Sequence, residues 1–66
     1  MLLKDKLRET RRQRDLTLLQ VSEATKLSVS YLSDLERGRT KPSLDTLGRL
    51  AAYYDLSMVD LLASVE

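Results

Sequence analysis

The chain has 66 residues with no Cys and no His, so no disulfide or thiolate zinc site can staple it and the common His- and Cys-based catalytic sets are missing. At 42% hydrophobic and 32% charged it has a globular composition. A chain this short buries only about 60% of its unfolded surface, so helix packing alone must hold it.

The first element is predicted over residues 2–14. Leu3, Leu7 and Thr10 recur at helical spacing among Lys4, Lys6, Arg8, Glu9 and Arg12, and Asp15 ends the helix. The second is predicted over 17–25, with Thr17 as N-cap and Gln20 three residues on, as in a capping box. Lys26 falls where the chain must turn. Ser28 caps a third helix, over 29–36, and Gly38 follows as a stop that accepts positive φ. Pro42 and Ser43 start a fourth helix, over 43–54, with Leu44, Leu47, Leu50 and Ala51 as its buried stripe and Tyr53-Tyr54-Asp55 at its close. Ser57 caps the last, over 57–63, which carries Met58, Val59, Leu61 and Leu62. Five helices and no strand define an all-α domain over 1–66. Two short helices about a tight turn, then a basic loop, make a helix-turn-helix, a shape that fits one helix into the DNA major groove.

No apolar run approaches the roughly 18 residues of a membrane span. Met1 to Lys6 carries charge where a signal peptide would be apolar, so a cytoplasmic protein is expected. The net charge of +1 hides a division: residues 1–41 hold ten Lys/Arg against six Asp/Glu, and residues 42–66 hold one against four. A basic half suits a phosphate partner, since neutralising phosphates releases counterions.

The pattern Leu32-Ser33-x-Leu35-Glu36-x-Gly38-x-x-x-Pro42-Ser43, then Leu44, Leu47, Leu50 and Ala51, resembles the phage Cro and lambda-repressor (XRE-type) DNA-binding domain. Leu7-Arg8, Arg11 and Leu16-Thr17 fit that family's first helix and second-helix start, and the likeness runs from Leu3 to Leu62. Two positions depart from it. Lys26 stands where the family usually has Gly, so the turn either keeps its shape at roughly 1 kcal/mol or opens slightly. Leu18 stands where the family often has a phosphate-touching Gln, and it cannot make that bond.

The resemblance implies a sequence-specific regulator of transcription, most often a repressor, reading double-stranded DNA with its third helix. Val29, Ser30 and Asp34 then lie at base-facing positions, with Ser33 beside them. Val29 can pack on a thymine methyl, Ser30 and Ser33 can bond to either base type, and Asp34 can accept from cytosine N4 or instead orient Arg37 or Arg39. With no Arg, Asn or Gln among these readers, direct readout is expected to be modest and DNA shape to contribute. Arg37, Arg39, Thr40 and Lys41 suit phosphates, as do Thr17 and Ser28 at helix N-termini. Tyr31 offers either a phenol to phosphate or a packing ring. Arg11 and Glu36 occupy the positions of a structural bridge found in many family members, while Lys4, Lys6, Arg12 and Arg14 are expected to be solvated or to act through long-range electrostatics.

Family members usually bind as two-fold dimers on palindromic operators. Met58, Val59, Leu62 and Val65 are therefore expected to form a weak homodimer contact, or else to cover helices 1 and 4. An antitoxin or protein-interaction adaptor of the same fold is the rival, favoured by Asp34 and the low net charge. No enzyme, cofactor, metal or small-molecule ligand is expected.

Overall fold

The computed structural model describes residues 1–64 and contains five helices: α1 Leu3–Gln13, α2 Leu18–Thr25, α3 Val29–Arg37, α4 Leu44–Tyr54 and α5 Met58–Ala63. The expected bounds hold to within a residue at each end. Val65, proposed for the dimer contact, lies outside the described residues.

Local chemistry fixes the helix starts. The Thr17 hydroxyl accepts from Gln20 N at 3.1 Å while the Gln20 side chain accepts from Thr17 N at 2.8 Å, completing the box. Ser28 Oγ accepts from Tyr31 N and Ser43 Oγ from Thr46 N, both at 3.1 Å. Ser57 differs from expectation: it occupies the cap position of α5 but its side chain makes no capping bond. The ends are equally specific. Asp15, Lys26, Gly38 and Asp55 all take left-handed φ, and each turns the chain out of a helix.

The core is built from Leu3 and Leu7 of α1, Val21 of α2, Leu32 and Leu35 of α3, Leu47, Leu50, Ala51 and Tyr54 of α4, and Leu61 of α5. Helix α3 packs against α1 and α2, α2 also against α4, and α4 against α5. The Leu3 amide donates to the Ser64 carbonyl at 3.1 Å, so the end of α5 closes back on the start of α1.

One burial expectation is corrected. Leu44 is 69% exposed, not buried. Three residues before Leu47 it is rotated back by roughly 60°, and buried Thr46 takes the inward position in that turn. Its hydroxyl is satisfied by Ser43 and Tyr31. Tyr54 is not merely a terminal residue: it is among the largest fully buried side chains. Its ring tilts against Tyr53 and lies under the guanidinium of solvent-exposed Arg14, 5.4 Å from the ring centroid.

Candidate nucleic-acid interface

Helix α3 divides its sides sharply. Leu32 and Leu35 are buried in the core, whereas Val29 and Ser30 are exposed and Ser33 and Asp34 are half-exposed. Four of the nine residues of this helix therefore present small or polar groups outward. Val29, at 40% exposure, is an apolar side chain with no core partner of its own.

The turn that sets α3 against α2 keeps its sharp shape. Lys26 adopts φ 65 and ψ 21, the left-handed conformation that Gly would take at less cost. The buried Thr25 hydroxyl donates to the Val21 carbonyl at 2.7 Å and accepts from Leu27 N at 3.4 Å, so the polar groups entering the turn are paired. Arg49 of α4 donates to the Thr25 carbonyl at 3.2 Å while holding Asp45 at 3.1 Å. This tie to the turn has no sequence signal: a lone cation on a helix face does not announce a carbonyl on a different element.

Arg11 and Glu36 meet as expected. Arg11 Nε donates to Glu36 Oε2 and Nη2 to Oε1, both at 2.9 Å, with the two side chains only 16% and 9% exposed. Arg11 Nη1 also donates to the Leu16 carbonyl at 2.8 Å. One guanidinium thus fastens α1, the α1–α2 loop and the end of α3. The hydrogen bond to Glu36 raises its already high pKa, against the opposing effect of burial.

Arg37, Gly38, Arg39, Thr40 and Lys41 are all exposed and follow directly from α3. Thr17 and Ser28 lie exposed at the starts of α2 and α3. The chain therefore gathers the outward residues of α3, two helix N-termini and a cationic loop around one body. Asp34 lies 3.9 Å from Arg39, a loose, solvent-exposed pair rather than a firm orienting contact. Of the two roles left open for Tyr31, the structure shows the packing one. Its hydroxyl shares a 3.0 Å hydrogen bond with Thr46 Oγ1, so the half-buried ring joins α3 to α4.

At the other end of the molecule Val59 and Leu62 are 74% and 45% exposed, but Met58 packs against the core. Of the four residues expected at a dimer contact, Met58 is spent on internal packing. Among the described residues no acidic cluster could hold a metal ion, and no helix is long and apolar enough to cross a membrane.

Five helices, a turn of this geometry and an outward-facing third helix define a helix-turn-helix domain. The chain belongs to the helix-turn-helix family, whose model matches residues 7–61. It is 53% identical over its whole length to the HTH-type transcriptional regulator DdrOP3 of Deinococcus deserti, of which it spans 51%. Over 77% of its length it is 43% identical to the immunity repressor protein of Bacillus phage phi105, spanning 35% of it. Its structure is similar to that of SinR, a master regulator for biofilm formation crystallised in complex with DNA. The TM-score is 0.84 at 29% identity, over 92% of this chain and 98% of the chain in that structure. The chain thus spans about half the length of the Deinococcus regulator and about a third of the phage repressor.

Proposed function

We propose that this chain is the DNA-binding domain of a sequence-specific transcriptional regulator, a repressor that grips double-stranded DNA as a homodimer with α3 in the major groove. The observation that carries the proposal is the outward side of α3: Val29, Ser30, Ser33 and Asp34 face away from the core, beside an exposed loop with three cations. The relatives named as repressors and transcriptional regulators support it. Val29, Ser30, Ser33 and Asp34 read bases; Thr17, Ser28, Arg37, Arg39, Thr40 and Lys41 hold the backbone. No catalytic step is assigned, and a cytoplasmic location accompanies the role.

Selection of bound duplexes from a random pool would give the operator and its half-site spacing together. Titrations with single variants then separate the two kinds of contact. Arg39→Ala and Lys41→Ala weaken binding to all sequences alike and flatten the salt dependence, whereas Ser30→Ala alters preference at one base pair. If all three behave alike, the division between reading and gripping is wrong. If the wild-type protein binds no duplex and shows no steep salt slope, the adaptor role replaces DNA binding.

A further inference from the structure

The face of α1 that runs beside the end of α3 is basic, and two of its cations are unpaired among the described residues. Lys4 and Arg8 stand one turn apart on it, with Arg11 following on the same side. Arg11 is consumed by Glu36, but neither Lys4 nor Arg8 joins an ion pair among the described residues. Asp5 and Glu9 flank Arg8 on its far side without pairing to it.

Lys4 does not wave freely in solvent. Its stem lies across the bare Cα of Gly38: a methyl group there would stand 2.8 Å from Lys4 Cδ and 3.7 Å from Nζ. The same stem helps to wall a crevice of about 220 Å³ under Thr40, Lys41 and Pro42. Arg8 lines a second cleft, of about 140 Å³, together with Leu18, Ser33, Arg37 and the paired Arg11 and Glu36. Thus one cation of α1 is laid along the loop and the next opens onto the outward side of α3.

We infer that Lys4 and Arg8 belong to the DNA-backbone grip, so that α1 adds two phosphate-contacting cations to the loop Arg37–Lys41. This rests on the DNA-binding role proposed above. Gly38 then serves two purposes: it takes φ 74 to end α3, and it leaves room for the Lys4 stem that carries an ammonium group to the phosphate rail. Both added contacts would be blind to sequence, as backbone contacts are.

The test is the slope of log binding constant against log salt for a short duplex of arbitrary sequence, measured by fluorescence anisotropy. Lys4→Met and Arg8→Met keep apolar stems, and each is expected to flatten the slope by about 0.9, the increment for one lost phosphate contact. Lys4→Arg restores it. Lys6→Met, on the opposite flank of α1, changes net charge equally and is expected to leave the slope unchanged. Thermal melts of each variant confirm that the fold survives. The inference is overturned if Lys4→Met and Arg8→Met leave the slope intact while Arg39→Ala and Lys41→Ala flatten it, an outcome that keeps the DNA-binding role. It is equally overturned if Lys6→Met matches Lys4→Met, because the effect is then long-range charge. A flat slope for the wild-type protein would remove the DNA-binding role itself.

Discussion

One ion pair and one buried phenol carry most of the residue-scale risk. Arg11 and Glu36 are desolvated together, so each needs the other. Removing one strands a partly buried charge, which costs about 3–5 kcal/mol. A domain of this length has about 3–10 kcal/mol in total. Arg11→Met or Glu36→Gln is therefore expected to leave the protein close to unfolding at room temperature, as urea titration would measure; a loss below about 1 kcal/mol would mean that the pair is solvated. Tyr54 is the second. Burial, with the charge of Glu36 adding to it, pushes its phenol up to about 12 from 10.0. The unfolded chain gives up this proton near pH 10 while the folded chain keeps it. Between those values the unfolded state binds fewer protons, so stability falls as pH rises. Tyr54→Phe is expected to remove that alkaline loss, and parallel unfolding curves from pH 9 upward would check it.

At the scale of elements, the turns set the geometry that the helices display. Among the described residues, three other than Gly hold left-handed φ: Asp15, Lys26 and Asp55. An Asp in this conformation can be eased by local hydrogen bonding, but a Lys has no such relief. The helix-turn-helix therefore carries a small strain at Lys26, tolerated because Thr25, Arg49 and the α2–α3 packing fix the path around it. Lys26→Gly relieves it and concedes some unfolded-state entropy, for a net gain of roughly 0.5 kcal/mol. A rise of a few degrees in melting temperature is expected, with little change in DNA affinity. A fall in melting temperature would show that the Lys side chain contributes contacts worth more than the strain.

For the whole molecule, the proposed homodimer raises the question of which surface would join two such modules. Helix α5 buries Leu61 completely and leaves Val59 and Leu62 outside. Leu61→Ala is expected to cost about 2–5 kcal/mol of stability, since it hollows the core. Val59→Asp and Leu62→Asp are expected to shift stability by less than about 0.5 kcal/mol yet abolish self-association. Sedimentation equilibrium and the concentration dependence of operator binding would read the second effect. If both variants associate like the wild type, the dimer surface lies elsewhere, either on another face or on a further segment of the kind its longer relatives contain.

Short-range rules account for what was legible from the chain alone. Helix period and hydroxyl caps act within four residues, so the five elements, the Thr17–Gln20 box and the outward set on α3 were all readable before any packing was known. Arg11 and Glu36 were matched across 25 positions only through the family resemblance. Everything that depends on which surface meets which was settled by the tertiary structure. Packing buried Tyr54 and exposed Leu44, turned the Tyr31 phenol to Thr46, sent Arg49 to the turn carbonyl, and laid Lys4 on Gly38. A period says that a side is apolar; only the neighbouring helices say how far that side extends and which polar atoms at its margin find partners.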